Sequence, residues 1–257
     1  MYYKNDCVIE DEVYVHFGNR KNGNKSNVGY IISDRIYIYD TSYSPAFFEK
    51  LLLYFEQYHK KIVIILSHHH SDHVGGLRNR LSKVKADIIC TESTSDKFGN
   101  KISNIKICSD FIQLNESIYV KRIVKCHTQE DLVLIDNKNK VLFMGDILLD
   151  GHHPLLYNNN LEQWIYYLKK CYKMKFVYYV PGHGINMTSK TLKDYIIYLE
   201  LLNELCVEQR DKINRVRINK FLDETSSFHW LHIENLFKNL EIEKNNKFEE
   251  LGVKILL

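Results

Sequence analysis

The segment Ser67-His68-His69-His70-Ser71-Asp72-His73-Val74-Gly75-Gly76 carries a dense set of metal-ligand side chains. It directly follows a predicted strand at residues 61–66, in which residues 62–66 form a continuous apolar run that is typical of a strand buried on both faces. Side chains two residues apart in an extended segment point the same way, so His68 and His70 can reach one point. The aspartate and the last histidine follow after a bend, which the two glycines allow. We therefore expect a metal site where this strand ends.

Three further candidate ligands follow other predicted strands. His127 follows a strand ending near residue 125, Asp146 follows the strand at residues 141–144, and His183 follows the strand at residues 177–180. Alone, each is more typical of a hydrogen-bonded surface residue or a turn former. Together with the H-x-H-x-D-H spacing, three more ligand-type residues in strand-end loops favour a metal site.

The rest of the pattern is strands with interspersed helices, followed by a helical last quarter. Ser44-Pro45 predicts a helix start, with serine as the N-cap and proline at the first helical position. Apolar residues at helical spacing predict a helix over residues 161–172 and another from Ser189 onward. The Gly- and Asn-rich residues 18–27 predict a hairpin tip, which we expect to lie over the metal site.

With these motifs, the sequence resembles the metallo-β-lactamase-fold superfamily over residues 28–184. The resemblance is carried by the His-rich segment, Cys126-His127-Thr128, Phe143-Met144-Gly145-Asp146 and Pro181-Gly182-His183-Gly184, in that order. It implies an α/β protein: a four-layer αββα metallo-β-lactamase-type sandwich with a helical C-terminal extension. Residues 1–188 would form the hydrolase core, and residues 189–257 the extension packing on it.

The resemblance also implies a set of ligands for two metal ions. One ion would be held by His68, His70 and His127, the second by Asp72, His73 and His183, with Asp146 bridging the two. This nitrogen-rich set suits two Zn²⁺, with Fe or Mn as alternatives. His69 is expected to be a non-ligand, because its side chain should point the opposite way.

The activity implied is that of a metal-dependent hydrolase. A metal-bridged hydroxide would attack an ester, lactone, thioester or amide, while a metal polarises the target oxygen. Asp72, near the nucleophile, is the candidate catalytic residue because it could accept a proton as well as bind metal. The lack of a G-x-S-x-G segment agrees with hydrolysis without a side-chain nucleophile.

The motifs leave the branch of the superfamily open. A mononuclear iron oxidoreductase of the persulfide dioxygenase type shares much of the ligand pattern. Zinc β-lactamase activity is a further alternative, although those enzymes are usually exported and many carry Cys where Asp146 stands. The segment Thr128-Gln129-Glu130-Asp131 also departs from the family's commoner Thr-Pro-Gly.

The composition indicates which kinds of binding partner to expect. The 257 residues are 45% hydrophobic and 26% charged with a net charge of +3, which favours a globular protein over a nucleic-acid binder. The resemblance implies a small-molecule substrate. No apolar run approaches the roughly 20 residues that span a bilayer, so we expect no membrane partner. Without a visible signal peptide, and with six scattered cysteines, a cytoplasmic location is expected. Large apolar side chains at residues 228–237 predict a wall of the substrate cleft or a homodimer interface.

Overall fold

The computed structural model describes residues 6–10, 12–18, 26–78, 85–98, 104–154 and 160–208. Seven strands form the first sheet in chain order: β1 Asp6–Glu10, β2 Val13–His16, β3 Val28–Ile32, β4 Ile36–Tyr39, β5 Ile62–Ile65, β6 Asp87–Cys90 and β7 Ile105–Ile107. Five form the second sheet in the order β12-β11-β10-β9-β8: β8 Phe111–Gln113, β9 Ile118–Val124, β10 Glu130–Asp136, β11 Val141–Leu149 and β12 Tyr178–His183.

The helices are α1 Pro45–Glu56, α2 Ser71–Val74, α3 Glu92–Phe98, α4 Leu161–Lys173 and α5 Ser189–Glu208. The predicted start of α1 is confirmed, because the Ser44 side chain accepts a hydrogen bond from the Phe47 amide and Pro45 is the first helical residue. In α4 the side chain of Asn160 caps the helix in the same way, accepting from the amide of Gln163.

Three apolar layers lie between four layers of secondary structure, which confirms the αββα sandwich. Phe48, Leu51 and other residues of α1 pack on the outer face of the first sheet. Alternate residues of both sheets, such as Ile65 and Leu134, fill the space between them. The helices α4 and α5 cover the outer face of the second sheet with side chains that include Trp164.

The helical extension is described as far as α5. Leu192, Tyr195 and Leu199 of α5 are buried against α4 and the second sheet, so this stripe packs on the core as expected. The division of the chain at residue 188 stays a prediction. Residues 228–237 lie outside the described residues, as does most of the hairpin tip, and dimerisation and cellular location remain predictions. Among the helices the structure describes, none combines the length and the apolar character needed to cross a bilayer.

Two strands run further than the sequence predicted. Asp146 lies inside β11 rather than after it, and His183 is the last residue of β12 rather than beyond its end. The two strands pair in parallel through the motifs, with Gly145 opposite Pro181 and Leu149 opposite His183. The register shifts on either side of Gly145, whose φ of +54° suits a residue without a side chain. The irregularity places Asp146 at the metal-ligand cluster without ending the strand.

The candidate site lies where corresponding ends of the two sheets meet. The chain leaves β5 at Leu66, and the carbonyl of Ser67 accepts a hydrogen bond from the amide of Leu132 in β10. This bond joins the first sheet to the second immediately before His68. The loop between β9 and β10 carries His127 to the same edge.

Candidate metal centre

One set of ligand atoms, which we call the first ligand group, consists of His68, His70, His127 and Asp146. Nδ1 of His70 lies 3.0 Å from Nε2 of His68 and 3.0 Å from Nε2 of His127. Oδ2 of Asp146 is 3.9 Å from Nε2 of His68 and 3.4 Å from Nε2 of His127. Four potential ligand atoms from three parts of the chain thus surround one point.

The second ligand group consists of Asp72, His73 and His183. Nε2 of His183 lies 3.4 Å from Oδ2 of Asp72. The other oxygen of Asp146, Oδ1, is 3.1 Å from Nε2 of His73 and 3.4 Å from Nε2 of His183. The two oxygens of Asp146 therefore face different ligand groups. The structure brings together all seven residues predicted as ligands, in the predicted arrangement; that they bind metal stays a prediction.

The histidines of the first group are held neutral. Burial, together with the neighbouring imidazoles His73 and His127, keeps the pKa of His68 well below its usual range. Burial lowers the pKa of His127 to about 3 despite the nearby carboxylate of Asp146. Burial also lowers the pKa of His70. Neutral imidazoles offer the lone pairs that a metal ion requires.

The second group is charged when no metal is bound. Burial opposes protonation of His73, but the carboxylates of Asp146 and Asp40 outweigh it and raise its pKa well above the usual value. Asp146 and Asp72 likewise overcome burial at His183 and raise its pKa to about 9. Although burial raises the pKa of Asp72, its hydrogen bond with His183 and the charge of His73 lower it overall.

The donor set fits a metal ion. Nε2 of His73 and Oδ1 of Asp146 are buried and lie 3.1 Å apart, but within the described residues neither makes a contact with hydrogen-bond geometry. A buried polar atom without a partner is costly, and a bound cation would satisfy both atoms. The site also needs Gly182, because a Cβ at that position would lie 2.0 Å from Oδ1 of Asp146. Nitrogen-rich sets of this kind suit Zn²⁺.

Comparison with known proteins agrees with this geometry. Residues 22–105 match the model of the metallo-beta-lactamase superfamily. The DIM-1 metallo-beta-lactamase superposes with a TM-score of 0.64 at 19% identity, covering 76% of this chain and 96% of the other. The chain has the metallo-β-lactamase fold.

Two further solved structures share this fold. The metallo-beta-lactamase FIM-1 from Pseudomonas aeruginosa, in its mono-zinc form, gives a TM-score of 0.64 at 14% identity, covering 76% of this chain and 94% of the other. A metallo-beta-lactamase from Hirschia baltica gives 0.60 at 20% identity, covering 76% and 96%. No curated protein matches the sequence. At these identities the likeness establishes the fold and not the substrate.

Sequence reasoning missed Asp40, which lies behind the ligands at the end of β4. Its Oδ2 is 2.7 Å from Nδ1 of His73 and accepts a hydrogen bond from the Ser67 hydroxyl at 2.8 Å. Its Oδ1 accepts from the backbone amide of Ser67 at 2.7 Å. Like several of the ligands, Asp40 is a polar residue that directly follows a buried strand, so the same signal was present in the sequence.

The contacts of Asp40 fix the orientation of two imidazoles. The carboxylate accepts the proton on Nδ1 of His73, so the Nε2 that faces Asp146 is the nitrogen that would lose its proton and bind a metal ion. The Ser67 hydroxyl donates to Asp40, so at 2.9 Å it can accept the proton on Nδ1 of His68. Nε2 of His68 is then the lone-pair nitrogen facing the first ligand group. Carboxylate–histidine pairs of this kind commonly orient metal-binding histidines.

His69 and Trp164 complete the surroundings of the first group. His69 is half-buried and belongs to neither ligand group, and burial beside His70 lowers its pKa to about 4. Trp164 of α4 is fully buried, with its ring 5.9 Å from that of His127 and its Nε1 donating to the carbonyl of Ile147. It provides a rigid apolar support behind His127.

Proposed function

We propose that this protein is a metal-dependent hydrolase with a two-metal centre. The observation that carries the proposal is the position of Asp146, whose two carboxylate oxygens face separate ligand groups. A single metal ion would use one of these oxygens and leave the other ligand group, with its own set of donor atoms, without a cation. The arrangement therefore supports two ions more strongly than the one iron of a persulfide dioxygenase-type enzyme.

The seven side chains would divide the metals between them. His68, His70 and His127 would hold one ion, Asp72, His73 and His183 the other, and Asp146 both. Two Zn²⁺ ions bound there would supply Lewis acidity, polarising a substrate oxygen and making a water molecule acidic enough to act as a nucleophile at neutral pH. The nitrogen-rich ligands, and the zinc named for one structure of the same fold, support Zn over Fe or Mn.

Two residues at the more exposed side of the site would handle substrate and proton. Asp72 has 27% of its side chain exposed and a lowered pKa, so it is an ionised acceptor at neutral pH. The half-buried ring of His152 lies 5.6 Å from that of His183, and its Nδ1 donates to the carbonyl of Asp150 at 2.7 Å. That bond fixes the His152 tautomer and makes the residue part of the wall beside the second ligand group.

The substrate we propose is a small ester, lactone, thioester or amide. These groups share a carbonyl carbon open to attack by water and a carbonyl oxygen on which negative charge develops. A β-lactam is a cyclic amide of this class, and the solved structures of the same fold are described as β-lactamases. A β-lactam therefore belongs among the substrates to be tested.

Metal analysis combined with a substrate panel tests the proposal. We expect two zinc ions per chain, and hydrolysis of at least one carbonyl substrate that stops on chelation and returns on adding zinc. One iron per chain, with oxygen consumption on a persulfide, would favour the oxidoreductase instead. A purified chain that binds no divalent metal would reject both functions.

A further inference from the structure

Asn27, immediately before β3, connects the first sheet to the segment that carries His183. Its side-chain Nδ2 donates to the carbonyl of Pro181 at 2.9 Å and to the carbonyl of Gly184 at 2.8 Å. Its backbone amide donates to the carbonyl of Gly182 at 2.8 Å. One residue thus binds three carbonyls that flank His183 on both sides.

The side chain of Asn27 has no other conformation that would keep these bonds. It is only 5% exposed, and its Oδ1 accepts a hydrogen bond from the amide of Gly18 at 2.9 Å. Two donors and one acceptor are all in use, and only an amide side chain of this length offers that combination. An aspartate would place a carboxylate oxygen against two carbonyls.

The preceding residue makes a parallel connection. The hydroxyl of Ser26, which is fully buried, donates to the backbone carbonyl of Asp72. Ser26 and Asn27 therefore contact the backbone at two of the three members of the second ligand group. Within the described residues, neither side chain hydrogen-bonds to His68, His70 or His127.

The segment around His183 is held from two sides, by Asn27 on the side of the first sheet and by Asp150, whose carboxylate accepts hydrogen bonds from the amides of Ile185 and Asn186 at 2.9 Å. Gly184 has a φ of +95°, a conformation that side chains disfavour, and Gly182 packs directly against Asp146. On the opposite side, the amide of Asp150 donates to the carbonyl of His183 at 3.0 Å. Losing the Asn27 bonds would leave three carbonyls without their partner and let the segment move relative to the first sheet, while the Asp150 bonds keep it attached to the end of β11.

We propose that Asn27 is a positioning residue for the second metal. By fixing the backbone around His183, it selectively sets the affinity of the second ligand group. The proposal rests on the proposed function only for the identity of the ion. The hydrogen bonds act on the backbone whether or not a metal is present.

The main test is a zinc titration of Asn27→Asp against a competing chelator. We expect one of the two binding steps to weaken about 10- to 100-fold, as is typical when a residue supporting a ligand is removed. That step should be the one lost in His183→Ala and retained in His127→Ala. Equal weakening of both steps, or no change in either, would overturn the proposal, since a purely structural role has no preference for one metal.

Asn115→Asp is the matched control. Asn115 also uses three side-chain hydrogen bonds, accepting from the amides of Ser117 and Ile118 and donating to Asp34. It lies in the turn before β9, whereas His127 follows the far end of that strand. We expect this variant to lose stability while both zinc-binding steps stay unchanged.

Hydrogen exchange of the metal-free proteins separates positioning from metal binding. In Asn27→Asp, amides of residues 182–184 should exchange faster than in the wild type, while residues 127–134 should not change. If the wild type bound no zinc, the proposed function would fail but this comparison would still decide the role of Asn27. Should Asn27→Asp not fold, Ser26→Ala provides the second variant. It should weaken the same zinc-binding step to a smaller extent, and an unchanged step would contradict the proposal.

Discussion

The two ligand groups are built by different physical means. The side chains of His68 and His127 in the first group are 1–2% exposed, and burial keeps them neutral. In the second group, the side chains of His183 and Asp72 are 18% and 27% exposed, and they form a charged pair. His68 and His127 are positioned by close packing in the interior, and His183 and Asp72 by hydrogen bonds to their backbone, while His73 of the second group is also buried and is held by Asp40.

This difference has a consequence for metal binding. A cation entering the first group meets lone pairs that no proton occupies at neutral pH. A cation entering the second group must displace the protons held by His73 and His183. We therefore expect the first group to bind its ion more tightly, and the second to respond more to changes in its surroundings.

The largest effect should follow from removing the residue that the groups share. Asp146→Ala deletes the oxygens facing both, so we expect a loss of activity of roughly 10³-fold or more, about 4 kcal/mol in the barrier, and fewer than two zinc ions per chain. Asp136→Ala is the control, since Asp136 caps the turn at the far end of β10. It should reduce the melting temperature and leave zinc content intact. An Asp146→Ala protein that retained two zinc ions would contradict a bridging role.

Asp40 provides a way to sharpen the comparison, because it supports one histidine of each group. Asp40→Asn keeps the shape but weakens the hold on His73 and, through Ser67, on His68, so both zinc affinities should fall about 10- to 100-fold. Ser67→Ala breaks only the connection to His68 and should weaken a single step. Competition with a chelator measures the zinc affinities of both variants. If Asp40→Asn and Ser67→Ala weakened the same binding steps, Asp40 would not support His73 and His68 by separate hydrogen bonds.

The charge difference predicts opposite responses of the metal-free protein to pH. The pKa of His183 is about 9 when folded against 6.5 as the ordinary value, so its stabilisation is present below pH 6.5 and is lost as pH rises through 9. For His127, with a folded pKa of about 3, stabilisation is present above pH 6.5 and is lost as pH falls toward 3. At about 1.4 kcal/mol per pKa unit, the two shifts correspond to at most about 3 kcal/mol for His183 and about 5 kcal/mol for His127.

Urea unfolding of the chelator-treated protein across pH measures both responses. His183→Asn should reduce the alkaline decline, to which His73 also contributes, and keep the acid one. His127→Asn should reduce the acid decline, to which His68 and His70 also contribute, and keep the alkaline one. If the unfolding free energy of both variants followed that of the wild type at acid and at alkaline pH, the first ligand group would not be neutral and the second would not be charged.

The sequence predicted the ligands better than the residues that hold them. The ligands were found because the spacing of His68 and His70 is short-range, and because His127, Asp146 and His183 each lie near a strand end. Asn27 was read only as part of a hairpin tip, since its bond to Pro181 spans 154 residues and leaves no local pattern. Asp40 had a local signal, but only the fold shows which histidines it faces.

Helices and strands were predicted well where the apolar pattern in the sequence was long. They were predicted poorly where contacts with other parts of the chain determine the local structure. The start of α1 and the presence of α4 and α5 follow from capping residues and apolar periodicity. The helix α2 has four residues, too few to show a period. The strands β11 and β12 run through their motifs because they pair with each other, which no property of either segment alone reveals.

The smallest effect on zinc binding is expected at His69, which neighbours the predicted ligands His68 and His70 in the chain. Its ring packs edge-on against that of His70 at 5.0 Å, but it contributes to neither ligand group. His69→Gln should therefore retain two zinc ions per chain, with zinc affinities within about twofold of the wild type. Losses of zinc affinity of 10-fold or more are typical of residues that hydrogen-bond directly to a ligand. His70→Gln, which removes the nitrogen 3.0 Å from both His68 and His127, should lose the tighter step. Zinc content and competition titrations distinguish the pair. If His69→Gln lost as much zinc as His70→Gln, the alternating direction of the side chains at residues 68–70 would not decide which histidines bind zinc.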